Sequence, residues 1–150
     1  MNFRHWAMLV VLLVSCAVAT GHAWAQGGSA QSISFISADE LKKKLSRNEP
    51  VTVIDVRSST AFSESQDKIK GAIRVKLRKL KSRLAIPPLK NVPRDSEVIT
   101  YCACPSDDAA MRAAQILSEA GFKRVRALKD GWQGWLQAKG QLEPRPRLPR

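Results

Sequence analysis

Histidine is nearly missing from this chain. The two present, His5 and His22, both stand at or before residue 22, so the remainder has no imidazole for general base catalysis or metal ligation. Cysteine is scarce as well. Cys16, Cys102 and Cys104 are too few for the disulfide framework of a stapled small domain. Acidic residues are outnumbered, 13 against 25 Lys plus Arg for a net charge of +12, and none occurs between Lys68 and Arg94. The surface should therefore be cationic and attract anions or acidic partners. The only long apolar run, Ala7 to Ala19, is shorter than a membrane-spanning helix requires. No internal repeat is visible, and 150 residues suit one domain that buries its own core.

What is present begins with a leader. Arg4 and His5 give a polar start, the apolar run follows, and Ala23-Trp24-Ala25 has the small-x-small form of a cleavage site. Residues 1–25 are thus read as a signal peptide cleaved after Ala25, and the chain as periplasmic or secreted. Export argues against nucleic acid as the partner of this cationic surface. Leu13-Val14-Ser15-Cys16 is an alternative lipoprotein box, disfavoured because apolar residues continue past Cys16. Residues 26–35, dominated by Gly, Ser, Ala and Gln, are expected to form a flexible linker.

From there helix and strand patterns alternate. Ser37-Ala38-Asp39-Glu40 predicts a helix start with Ser37 as N-cap and Glu40 completing a capping box. Strands are expected at 51–56, 72–75, 98–102 and 124–128. Ser58 to Ile69 reads as one or two helical turns and a loop, with Ala61 and Phe62 buried. Leu77, Leu80 and Leu84 recur at helical spacing among five cations, predicting a basic amphipathic helix over 76–84 closed by Pro87-Pro88. That face is either simply solvated or a docking surface for an acidic protein or anionic surface. Trp132 and Trp135 begin a last helix as core residues. Residues 141–150, rich in proline and arginine, are expected to be disordered. The alternation implies an α/β fold, a mainly parallel sheet flanked by helices in three layers.

One stretch carries the chemistry. Glu97 to Tyr101 is a β-branched and aromatic run ending at Cys102; Ala103-Cys104-Pro105-Ser106 follows, and a helix opens behind Asp107 and Asp108. A cysteine between a strand and a helix amino end lies where unpaired N–H groups and the helix dipole favour a thiolate.

In order and spacing these residues resemble the rhodanese-like domain family over about Ile36 to Gly140. The resemblance is carried by Asp55-Val56-Arg57, Ile69-Lys70-Gly71-Ala72-Ile73, Tyr101-Cys102, Ala120-Gly121-Phe122, and Gly131-Trp132 with Trp135. It implies a domain over 36–140 in which Cys102 is the nucleophile and carries a sulfane sulfur as a persulfide. The donor would be thiosulfate or another small sulfur anion or persulfide, and the acceptor cyanide or a thiol. It implies a loop of main-chain amides around the sulfur, made by Ala103, Cys104, Ser106, Asp107 and Asp108. Asp55 and Arg57 are read, from the residues themselves, as a partly buried structural ion pair or a strand-end cap rather than catalytic groups. No cofactor or metal is expected, and the chain should be a monomer. The loop departs from the family's common form. Pro105 removes a donor, Asp107 and Asp108 put negative charge near the thiol, and Asp130 stands where the first glycine of a Gly-Gly pair is usual.

Other readings of the two thiols stay open. Cys102 is otherwise a buried structural thiol. Cys104 is a spectator, a resolving thiol that attacks the persulfide and leaves a disulfide, or half of a redox switch. A Cys-x-Cys pair can also hold Cu(I), although no histidine or methionine cluster supports that here. An alternative reading of the whole scaffold is a binding module without turnover.

Overall fold

The computed structural model describes residues 32–146. The proposed signal peptide, Cys16, residues 26–31 of the linker and the last four residues lie outside the described residues.

The element order is β1 (Ser34–Ile36), α1 (Ala38–Ser46), β2 (Val51–Asp55), α2 (Ser59–Glu64), β3 (Asp67–Ile69), β4 (Ile73–Arg74), α3 (Leu80–Arg83), β5 (Glu97–Tyr101), α4 (Asp108–Glu119), β6 (Arg124–Leu128), α5 (Gly131–Gln137) and β7 (Leu142–Pro144). Five strands form one parallel sheet in the order β1-β6-β5-β2-β4. The remaining two, β3 and β7, make a separate antiparallel pair. This is the α/β layer structure the alternation implies.

The central strand sorts its side chains by the period of two that any strand imposes. Val98 and, just past the strand, Cys102 pack with Ala110, Ala113, Ala114 and Leu117 of α4 on one face. Ile99 and Tyr101 pack with Leu41 of α1 and with Trp132 and Trp135 of α5 on the other. The buried positions of α4 recur at i, i+3, i+4 and i+7, a helical stripe. Three of its four members are alanine, which lets the helix backbone lie close to β5. Thr100 uses that proximity: its Oγ1 donates to the carbonyl of Ala110 at 2.8 Å. The two tryptophans are core, as expected.

Several local expectations are revised. Ser37 does cap α1, its hydroxyl accepting from the Glu40 amide at 3.2 Å, but the Glu40 carboxylate pairs with Arg126 at 2.7 Å. The linker gives way to β1, which begins at Ser34 and pairs with β6. Ala61 is only partly buried, although Phe62 is buried. The basic helix over 76–84 is broken into a 3-10 turn at Leu77–Lys79 and the single turn of α3. No hydroxyl or carboxylate caps either piece, so one long helix has no firm start.

The largest revision concerns the tail. Leu142–Pro144 is ordered as β7 against β3, and the Glu143 carboxylate pairs with the buried Lys68 amine. Arg145 adds bonds from its Nε to the Ser65 carbonyl at 2.6 Å and from a terminal nitrogen to the Ser63 carbonyl at 3.1 Å. A polar, proline-bearing segment folds here because its partners lie on the loop after α2, and pairing of that kind leaves no periodic trace.

Candidate active site

The carboxyl ends of β2, β4 and β5 converge on one edge of the sheet. Asp55 at the end of β2 is fully buried, and a buried carboxylate must find several partners to remain charged. It accepts from the Arg57 amide at 3.0 Å, from Arg57 Nε at 3.0 and 3.1 Å, from Arg57 NH2 at 2.7 Å and from the Tyr101 hydroxyl at 2.7 Å. The Arg57 guanidinium lies 4.2 Å from the Trp132 ring and also faces Phe62 and Tyr101. Asp55 and Arg57 thus form an ion pair, fully buried where the sequence suggests a partly buried one. Burial chiefly, and then the neighbouring Asp55 charge, drives the Tyr101 phenol far above its ordinary pKa, so it stays protonated and donates to that carboxylate.

Tyr101 and Cys102 are consecutive, so the pleat sends one into this polar knot and the other toward α4. Cys102 retains 1% of its exposure and packs in the α4 core, whereas Cys104 is only partly buried. The two are joined by a disulfide, with Cα atoms 5.7 Å apart. The Cys104 amide points at Cys102 Sγ at 3.5 Å. In this oxidised form it is the one main-chain donor on that sulfur among the described residues, fewer than the ring of amides the resemblance implies.

The other loop residues are committed elsewhere. Ser106 Oγ donates to Asp108 Oδ2 at 2.6 Å, closing a small turn at the helix start. Ala103 is partly buried against the opposite core cluster, beside α5. Asp107 corrects the expectation most sharply. Its backbone is left-handed, φ 55°, and its side chain is buried with Oδ2 accepting from the Asp130 amide at 2.8 Å. Burial pushes its pKa up, opposed by that bond. Asp107 is therefore a tie between the cysteine loop and α5, while only Asp108 offers its carboxylate to solvent.

The same junction explains the departure at residue 130. Asp130 has φ 58°, in the region glycine tolerates best and Asp or Asn next best, so a carboxylate residue holds the turn. Gly131 cannot be exchanged so easily. Its φ is 42°, and an added Cβ would overlap the Cys102 carbonyl oxygen and come within 3.0 Å of Asp107 Oδ1. The next amide, from Trp132, donates to that same Cys102 carbonyl at 2.8 Å. Sequence reasoning missed this bracing of the loop by the start of α5; the Asp-Gly pair at 130–131 was its available signal.

Two hollows adjoin the loop. One, of about 450 Å³, is lined by Val56, Ser58, Lys76, Leu77, Arg78 and Ala109. The other, of about 500 Å³, runs past Ala103, Trp132 and Leu136 to Glu64 and Asp67. Two exposed cations border the first and two carboxylate residues the second, so an anion is favoured in the first. Among the described residues no group of three or more His, Cys, Asp or Glu is arranged to hold a metal ion.

Comparison with known proteins agrees with this architecture. No curated protein matches the sequence. Solved structures do. The Alr3790 protein from Anabaena sp. is 27% identical with a TM-score of 0.62, covering 73% of this chain and 82% of that one. The BH2092 protein from Bacillus halodurans is 26% identical with a TM-score of 0.62, over 75% and 77% of the two chains. A thiosulfate sulfurtransferase from Pseudomonas aeruginosa is 26% identical with a TM-score of 0.59, covering 73% of this chain but only 20% of that larger one. A family model, the rhodanese-like domain, matches residues 37–138, from the N-cap of α1 to the end of α5, and on that match the chain belongs to the rhodanese-like domain family.

Proposed function

We propose that this chain is an exported sulfurtransferase that carries a sulfane sulfur on Cys102. The observation that carries the reading is the position of Cys102 just past the carboxyl end of the central strand, packed against α4, with an amide already aimed at its sulfur. The likeness to a thiosulfate sulfurtransferase supports it. The disulfide must first be reduced by a thiol, since the bonded sulfur is no nucleophile. The freed thiolate then attacks the outer sulfur of thiosulfate; the S–S bond breaks, and sulfite departs with the electron pair. Cys102 is left as a persulfide. Cyanide or a thiolate attacks the terminal sulfur, and the Cys102 thiolate leaves.

The cationic hollow at Lys76 and Arg78 suits an anionic donor, and the acid-free stretch that continues from it extends the same field. Export with cleavage after Ala25 is part of the proposal, and N-terminal sequencing of the protein from a periplasmic extract tests it. The catalytic claim is tested by intact mass. Reduced protein given thiosulfate should gain about 32 Da, one sulfur, and Cys102→Ser should abolish the gain. The disulfide favours one second reading, a thiol–disulfide switch without sulfur transfer, for which no mass is gained.

A further inference from the structure

We infer that Cys104 is a resolving thiol that discharges the persulfide of Cys102 as hydrosulfide, making the chain a thiol-dependent producer of sulfide as well as a sulfur carrier. The inference rests on the proposed persulfide at Cys102 and extends it.

The structure holds the product of that step. Cys102 and Cys104 are bonded to each other across one intervening residue, so the loop permits contact between the two sulfurs without rearrangement of the sheet. The amide of Cys104 lies against the same sulfur. Nothing in the fold requires the bond: Cys102 already packs in the α4 core, and the loop is braced independently by Asp107 on the Asp130 amide and by the Trp132 amide on the Cys102 carbonyl. A pair of thiols that closes without serving the scaffold is suited to chemistry.

The electrons balance as follows. The Cys104 thiol attacks Cys102 Sγ, forming the Sγ–Sγ bond and breaking the bond to the outer sulfur. That sulfur leaves with the electron pair and takes up the proton surrendered by Cys104, departing as HS⁻. The sulfane sulfur is thereby reduced by two electrons, and the two cysteines are oxidised by two. Restoring the cycle needs two equivalents of a low-molecular-weight thiol.

Burial assigns the direction of that reduction. In the disulfide form Cys102 is covered, while Cys104 is partly exposed, so the incoming thiolate bonds to Cys104 and expels Cys102 as the thiolate, which meets thiosulfate only once Cys104 has moved off it. A second thiol then removes the mixed disulfide from Cys104. The nucleophile is freed first, at the sulfur nearest the core.

A single-turnover experiment on the full chain tests this. The protein is reduced, freed of reductant under argon and given thiosulfate without external thiol, and sulfide and intact mass are read together. The wild type should release about one equivalent of sulfide and finish about 2 Da lighter than its reduced form, the mark of a disulfide. Cys104→Ser should instead keep the added sulfur and release less than a tenth of an equivalent. A wild type that holds the sulfur and releases no sulfide overturns the inference and leaves the carrier function standing. If neither protein takes up sulfur, the carrier function itself falls. The wild-type measurement decides the matter even if the variant does not fold.

Discussion

The buried pair at Asp55 and Arg57 offers the sharpest test of the physical account. Replacing Asp55 with Leu strips the guanidinium of its three side-chain bonds to the carboxylate, leaving one bond to the Asp67 carbonyl at 3.1 Å and the face of Trp132. It also orphans the Tyr101 hydroxyl as a donor. Replacing Arg57 with Met is milder, because the carboxylate keeps the residue 57 amide, the Tyr101 hydroxyl and Arg74 at 3.7 Å. Leaving a buried charge unpaired costs about 3–5 kcal/mol, so Asp55→Leu should fall near the top of that range. Arg57→Met, with partners remaining for the carboxylate, should cost about 2–3 kcal/mol, less than a buried charge left unpaired. The double variant Asp55→Leu/Arg57→Met should be more stable than Asp55→Leu alone, because no isolated charge is left inside. Urea unfolding followed by tryptophan fluorescence reads all three. With an m-value of about 1.5 kcal/mol per molar, Asp55→Leu should lower the midpoint by roughly 3 M. Equal costs for the two single variants, or a double variant worse than Asp55→Leu, would refute the argument.

Other outcomes are expected from the same geometry. Gly131→Ala should force the Cys102 carbonyl and Asp107 apart, costing about 1–3 kcal/mol for the strained backbone and slowing persulfide formation in the mass assay. Glu97 is buried, which alone raises its pKa, but Arg126 and Lys44 outweigh burial and hold the carboxyl below its ordinary range. A depressed carboxylate contributes stability that is complete above the unfolded value of about 4.3 and is lost as pH falls toward the folded value. Urea midpoints measured from pH 7 downward should therefore fall less steeply below about pH 5 in Glu97→Gln than in the wild type, while the variant starts lower at neutral pH. Deleting residues 141–150 should unpair β3 and leave the Lys68 amine without Glu143. The loss is about 2 kcal/mol or more at roughly 1 kcal/mol per hydrogen bond, and melting temperature reads it; an unchanged value would show that β7 contributes nothing.

The sequence was most informative where one force dominates. The central strand, the alanine stripe of α4 and the burial of both tryptophans follow from apolar periodicity, and the strand–cysteine–helix order is local in the chain. The role of Asp107 was illegible because its partner, the Asp130 amide, is remote in sequence and is a main-chain group that no side-chain pattern announces. The strand at 142–144 was hidden for a similar reason. Its composition argues for solvent, and only the arrival of Lys68 and the carbonyls after α2 makes order favourable. The broken helix at 77–83 shows the reverse error, a sound period without the caps to sustain it.

The bond between Cys102 and Cys104 spans so short a stretch that it removes little freedom from an unfolded chain. The loop-entropy relation gives about 1.6 kcal/mol for such a ring, against about 3 for a fifteen-residue one. Opening it should leave the molecule folded and shift its melting curve down by only several degrees, at roughly 2–8 °C per kcal/mol. The reactive element can thus change state repeatedly on a chassis that stays folded throughout, and a thermal shift measured with and without reductant reports which state is present.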